Sequence, residues 1–330
     1  MTNDPRHLAS GTAQLNSSER SRVLRYTAFD VNGEGGNPAG VVLDARHLDD
    51  ARMQEIAAEV GFSETAFLFE DEFEDEFEGE FVGEAAGVRR FTVRYFSPLN
   101  EVAFCGHATI ATAVALAERD GVGDLLLTTS AGEVAVETRH EDGRVVATLT
   151  SVAPVVGPVD DDDLARALRA LRWDAAELDP ALPPRVANAG NDHLVLAAAS
   201  QERLADLDYD QEALGELMAR RGWTTVHLVW RETPTLFHAR DPFPPGGIYE
   251  DPATGAAAAA FGAYLRELGL VDPPVRVTIR QGEDMGRASR LLVDLLPGAT
   301  TGVKVSGTAA LIGDGGTRPA SEAGAVLPTD

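Results

Sequence analysis

The second half of this chain repeats the order of the first. Gly36-Asn37-Pro38 precedes the apolar run Val41-Val42-Leu43, and Gly190-Asn191-Asp192-His193 precedes Leu194-Val195-Leu196. A helical stretch follows each; after Val41-Val42-Leu43 it runs over Asp49–Val60, with Met53, Ile56, Ala57 and Val60 on one face. The β-branched and aromatic segment from Arg90 to Phe96 has its counterpart in Leu236-Phe237-His238-Ala239-Arg240. Cys105-Gly106-His107-Ala108-Thr109 then opens an Ala-rich helix closing at Gly121, and Asp251-Pro252-Ala253-Thr254-Gly255 opens another closing at Gly269. The paired features lie about 150 residues apart, roughly one domain length. Agreement in order, spacing and element type is what an internal duplication leaves behind. The chain is therefore expected to be α+β, with two related domains, each a central helix wrapped by strands.

The boundaries follow from where the pattern starts and stops. Residues 1–21 are polar and aperiodic and read as a disordered leader, and 317–330 as a disordered tail. The first domain is expected over 22–150 and the second over 151–316, with the last strand, near 306–314, free to return to the first. Between two strands, the stretch from Glu70 to Gly87 is acidic with phenylalanines at intervals. It reads as a solvated insertion, since like-charge runs stay in water.

Composition removes several classes of partner. The 330 residues are 44 % hydrophobic, enough for a sizeable core. A net charge of −25 opposes binding to nucleic acid, which needs clustered Lys and Arg, and to anionic membranes. Lys304 is the one lysine among 28 basic residues, a bias that fits either a high-GC genome or work in high salt. The single cysteine, Cys105, precludes an intramolecular disulfide. The first twenty residues lack an apolar signal-peptide core, and the longest apolar stretch, Ala256–Leu265, is too short to span a bilayer. A soluble, cytoplasmic protein is expected.

Clefts form where domains meet. Two helices that start just after the two most motif-like loops would bring their unpaired N–H groups into such a cleft, a ready seat for a small carboxylate. Glu64, between Phe62 and Phe67, is a carboxyl that desolvation would raise toward a general acid/base; its plainer reading is an exposed turn residue. His107 could shuttle a proton or donate to an anion, and Asp251 could orient it or serve as a second carboxylate; both also suit helix caps. A two-thiol racemase needs two cysteines, so Cys105 alone excludes that mechanism. Other chemistries fail on context. Gly33-Glu34-Gly35-Gly36 leads into a strand, not the helix a dinucleotide loop needs. Lys304 has the wrong neighbours for a P-loop, Gly61-x-Ser63-x-Thr65 lacks the last glycine of a nucleophile elbow, and the seven histidines lack zinc-type spacing.

Taken together, Ser63-Glu64-Thr65, Gly106-His107-Ala108-Thr109, Asp251-Pro252-Ala253-Thr254-Gly255, Gln281-Gly282 with Met285-Gly286-Arg287, and Gly36-Asn37-Pro38-Ala39 resemble the PhzF-type phenazine-biosynthesis isomerases. The resemblance runs from about Val23 to Gly313. It implies the diaminopimelate epimerase-like fold: two pseudosymmetric domains, each a barrel-like, mostly antiparallel sheet around a central helix, usually as a homodimer, with no metal or organic cofactor. It implies Glu64 as the group that moves a proton between two carbons of a small acid, with His107 and Asp251 as catalytic partners. Asn37, Ser63, Gly106, Ala108, Thr109, Thr254, Gly255 and Ala256 are implied to line the substrate. Cys105 matches the first of the two cysteines of the related epimerases, and Asp251 stands at the second position. Ala256 departs from the family's serine after the Asp-Pro-x-Thr-Gly turn, removing a hydroxyl. Two alternatives stay open: a non-catalytic protein that binds a small acid, and an epimerase pairing Glu64 with Cys105.

Overall fold

The computed structural model describes residues 23–70 and 88–313. The leader, the tail and almost all of the acidic stretch lie outside the described residues. The first half runs β1 (Leu24–Ala28), β2 (Asn37–Val42), α1 (Asp50–Val60), β3 (Glu64–Glu70), β4 (Arg89–Phe96), β5 (Glu101–Val102), α2 (Gly106–Asp120), β6 (Asp124–Thr129), β7 (Gly132–Glu141) and β8 (Arg144–Thr150). The second runs β9 (Val155–Pro158), α3 (Asp161–Leu171), β10 (Arg185–Asn188), β11 (Asp192–Ala197), α4 (Gln201–Ala205), α5 (Gln211–Arg221), β12 (Trp223–Thr233), β13 (Leu236–Pro242), β14 (Glu250–Asp251), α6 (Gly255–Glu267), β15 (Val275–Gln281), β16 (Ser289–Leu295) and β17 (Lys304–Leu311).

The duplication is visible in the pairing. The ladder β1-β2-β3-β4-β6-β7-β8 is matched by β10-β11-β12-β13-β15-β16-β17. The parallel pairs fall at the same two places, β2–β3 and β4–β6 against β11–β12 and β13–β15, and the other pairs are antiparallel. β17 joins the halves: Lys304–Ser306 pair with β16, whereas Ala309–Leu311 pair with β1. Because β17 also pairs with β8, the first circuit closes on itself and leaves no free edge. In exchange, the chain after β8 continues into β9, which pairs with β10.

Each circuit encloses one Ala-rich helix. A helix apolar on all sides has no face for water and must be surrounded. In α2 every residue from His107 to Ala117 is buried, and in α6 every residue from Ala257 to Leu265. Alanine keeps both helices thin enough to fit inside a barrel while retaining high helix propensity. By contrast α1 is amphipathic and lies outside, burying Met53, Ile56, Ala57 and Val60 with Phe62, Phe67 and Phe96. Asp49 caps its N-terminus by accepting from the Arg52 N–H, and Gly61 ends it at φ 71°. Helices α3, α4 and α5 cover the second half in the same way around Trp173, Leu214 and Trp223. No helix among the described residues is long and apolar enough to cross a membrane.

Two of the boundaries that differ from expectation lie in the first half. The strand expected at Val41–Leu43 begins at Asn37, because β1 extends the ladder to Ala28↔Asn37 and Thr27↔Pro38. The loop Ser97–Val102 ends in the two-residue strand β5, paired with the end of β4. The first of these places Asn37 at the junction of the halves. The turn before it is docked on the other half: the Gly36 N–H donates to the Ala288 carbonyl at 3.1 Å, and Arg287 Nε donates to the Gly36 carbonyl at 2.9 Å. Gly35 is required there. Its φ is +70°, and a Cβ would stand 2.2 Å from the Ala288 carbonyl oxygen, which is backbone and cannot swing aside. Gly35→Ala should therefore cost about 1–3 kcal/mol or more of stability, read as a lower urea midpoint. An unchanged midpoint would show that this turn bears no strain.

Candidate active site

Glu64 is the first residue of β3, directly after the turn that Gly61 begins, and its backbone lies opposite Ala39 in the parallel β2–β3 ladder. Cys105 occupies the cap position of α2, and His107 lies in its first turn. The barrel brings the three together. Cys105 Sγ donates to Glu64 Oε2 at 3.5 Å, and His107 Nε2 lies 3.4 Å from the same oxygen. Cys105 Sγ is 3.3 Å from His107 Nδ1, and Ser63 Oγ is 3.3 Å from His107 Nε2. The Glu64 side chain retains 16 % exposure, against 7 % for His107. Of this pair the carboxyl is the one open to a ligand.

The other half supplies Asp251, in β14, four residues before α6. It is not the helix cap; Thr254 holds that position. Asn37 Nδ2 donates across the junction to Asp251 Oδ1 at 2.8 Å and to the Ala253 carbonyl at 3.1 Å. Thr254 Oγ1 donates to Asp251 Oδ2 at 2.6 Å. Gln281, at the end of β15, clamps the same loop: its Nε2 donates to the Asp251 carbonyl at 2.8 Å, and its Oε1 accepts from the Thr254 N–H at 3.1 Å. Each carboxyl oxygen thus has a neutral donor, and no Arg or Lys among the described residues pairs with it.

Electrostatics follow from burial without a fixed cation. Asp251 is pushed up to about 7, first by desolvation and further by the charges of Glu64 and Asp241, while the charge of His107 and the Thr254 hydrogen bond oppose the rise. Burial raises Glu64, against hydrogen bonds from Ser63 and Cys105. Burial lifts the Cys105 thiol well above its usual range, with the charge of Glu64 adding and the Ala108 N–H opposing. Burial lowers His107, against the charge of Asp251 and a hydrogen bond to the Pro38 carbonyl. The arrangement thus raises both carboxyls, Asp251 to about 7, beside an imidazole that burial lowers.

The expected residues divide by role. Glu64, Ser63 and His107 form one contact group with Cys105, and Asn37, Asp251 and Thr254 a second with Gln281; the two act on each other through charge, Asp251 on His107 and Glu64 on Asp251. Gly106, Gly255 and Ala256 lie in the first turns of α2 and α6, and neither helix has a side-chain cap on its amides. Ala108 is fully buried. Thr109 is also fully buried, its hydroxyl donating to the Cys105 carbonyl at 2.7 Å and accepting from Tyr95 at 2.6 Å. Neither Ala108 nor Thr109 can reach a ligand by its side chain. Their effect is to lock the α2 N-terminus. Sequence reasoning gave no role to Gln281, Pro38 or Tyr95. Gln281 sat in a recognised motif, but nothing in one dimension showed that it reaches Asp251. The spacing of the histidines gave no metal site. The fold nevertheless gathers ligand atoms of Glu64, Cys105 and His107 within 4.8 Å of one another. Hydrogen bonding of Cys105 to Glu64 also bears on the Glu–Cys epimerase alternative. Two bases that work on opposite faces of a carbon need the substrate between them, and these two touch.

Most of the chain is matched by relatives. An uncharacterized isomerase of Mesorhizobium japonicum is 31 % identical over 306 residues, covering 88 % of this chain and 97 % of its own. The trans-2,3-dihydro-3-hydroxyanthranilate isomerase of Pseudomonas fluorescens is 30 % identical, covering 85 % and 93 %. The crystal structure of a PhzF-family phenazine biosynthesis protein of Bacillus anthracis superposes with a TM-score of 0.75 at 25 % identity, over 88 % and 96 %. The expected epimerase-like architecture is the one found. With its sequence matching the phenazine biosynthesis-like proteins over residues 26–315, the chain belongs to that family, PhzC-PhzF.

Proposed function

We propose that this PhzF-family isomerase moves a proton between two carbons of a small carboxylic acid, with Glu64 as the single acid/base. The observation that carries the reading is the Glu64 carboxyl: raised by burial, 16 % exposed, and in contact with Cys105 and His107. The steps balance without a cofactor. Ionised Glu64 takes a proton from one carbon, the electron pair shifts along an adjoining double bond, and the protonated Glu64 returns the proton to the far carbon. One base on one face suffices for both transfers. Asp251, near its midpoint at neutral pH, and neutral His107 tune the charge that Glu64 sees. The uncapped N-termini of α2 and α6 suit the substrate carboxylate, since their amides and dipoles favour an anion.

The test is solvent exchange. The protein is incubated in D2O with small unsaturated and cyclic amino acids, at low and high salt, and followed by NMR. Deuterium entering one carbon of one compound, with its isomer appearing, supports the reading. Tight binding of an acid by calorimetry without any exchange would replace it with the non-catalytic one.

A further inference from the structure

The second half carries a pair of carboxyls that its fold does not require. Asp241, in β13, stands directly opposite Asp251, in β14, in an antiparallel ladder. The first half has the same ladder, with Tyr95 of β4 opposite Val102 of β5. β5 and β14 each end four residues before their Ala-rich helix, so the two ladders hold equivalent places. Neutral side chains serve in the first. Residues directly opposite stand about 4.5–5.5 Å apart at Cβ on one face, and like charges there destabilise a sheet. Asp241 is 0 % exposed and Asp251 7 %, so water screens neither. The first half avoids this repulsion with the same architecture. Buried like-charge pairs of this kind are what functional sites use to shift a proton.

The surroundings of the two carboxyls differ. Asp241 Oδ1 accepts from Thr225 Oγ1 at 2.8 Å, and its oxygens lie 3.1 and 3.0 Å from His227 Nδ1. Thr225, its own proton given to Asp241, accepts from His193 Nδ1 at 2.8 Å. Burial, with the charge of His227 adding, pushes His193 down to about 3, so it stays neutral. These three side chains are fully buried and come from β11 and β12. Donors converging on a carboxyl favour its charged form. Asp251 meets only Asn37 and Thr254. The titratable groups that face Asp251 from other elements are Glu64 on β3, His107 and Cys105 at the start of α2, and Asp241 itself; Asp241 also faces Glu250, which is ion-paired with Arg240. We propose that Asp241 is a positioning residue for the reaction and acts through Asp251: its charge, held by His227 and Thr225, faces Asp251 across the ladder and keeps the proton of the pair on Asp251. With Asp251 neutral, Glu64 can ionise and take a proton from carbon without a second buried anion opposing it. The effect on Asp251 stands without the isomerase reading, whereas the effect on rate rests on it.

The test follows the aspartate carboxyl carbons of the full chain by NMR as pH is raised, each signal assigned through its correlations to the backbone. In the wild type the Asp251 signal should titrate near 7. The Asp241 signal should inflect at the same pH, since it feels that charge appear. In Asp241→Asn the Asp251 midpoint should fall by about 1 unit or more, the direction expected when a like charge a few ångströms away is removed. Wild-type deuterium exchange should decline as Asp251 loses its proton, a limb that Asp251→Asn lacks, and in Asp241→Asn that limb should move to lower pH with the midpoint. An Asp241 that serves the fold alone would lower the melting temperature of its variant and leave the Asp251 midpoint in place. An unmoved midpoint in Asp241→Asn overturns the proposal. Should that variant not fold, an Asp241 signal in the wild type that fails to inflect with Asp251 does the same. A midpoint that moves while the exchange profile stays overturns the link to the reaction. Absence of exchange in every form would count against the isomerase reading alone.

Discussion

Glu64→Gln is expected to lower the rate of deuterium exchange into substrate by about 10²–10⁴-fold, the span that a positioned acid/base contributes, while leaving the fold intact. The amide keeps the size of the carboxyl and can still meet Cys105 and Ser63. It cannot accept a proton from carbon, and in the one-base scheme no other group touches the same face. The measurement is the exchange rate by NMR, beside substrate affinity from calorimetry. A drop in exchange with affinity retained assigns Glu64 to the proton itself. Exchange at wild-type rate would remove it from the chemistry and leave His107, the neighbour at 3.4 Å, as the base.

Asp251→Asn is expected to change how stability depends on pH. In the folded protein this carboxyl titrates at about 7 against an ordinary 3.8. A raised carboxyl favours the folded state when protonated. Its burial therefore costs nothing below the unfolded value, costs more as pH rises through the interval, and reaches its full penalty of ~4 kcal/mol above the folded value. Asparagine never ionises and carries no such penalty. Between pH 5 and 8 the variant should gain roughly 2–3 kcal/mol on the wild type, whatever fixed offset the altered hydrogen bonds to Asn37 and Thr254 introduce. Urea unfolding of both proteins across this range reads the difference directly. Parallel curves would mean that Asp251 stays ionised in the native state, and that it holds its place as an anion and not as a proton store.

The architecture was legible because duplication and periodicity are linear signals. The two Ala-rich helices, the strand from Arg90 to Phe96 with its counterpart from Leu236, and the amphipathic helix after Asp49 are each visible in residue order. Glu64, His107 and Asp251 were marked by the resemblance. Legibility failed where a role depends on distance across the fold. Thr109 sits in a recognised motif, yet its hydroxyl is spent on Cys105 and Tyr95. Gln281 lies thirty positions from the Asp251 carbonyl that it holds. Asn37 and Asp251 meet at a separation of 214 residues.

Residue order alone determined the two-fold repeat, the buried central helices and the chemical types available, because hydrophobic spacing and helix propensity act between near neighbours. Tertiary structure decided which of those groups meet and which lose their water. Folding of the first half sets Glu64, at the start of β3, against Cys105 and His107, at the start of α2, and the junction with the second half, where the Gly36 N–H meets the Ala288 carbonyl, sets Asn37 against Asp251. The strength of a carboxyl, thiol or imidazole depends on the water it has lost and the charges within a few ångströms of it, and neither quantity exists until the chain has folded.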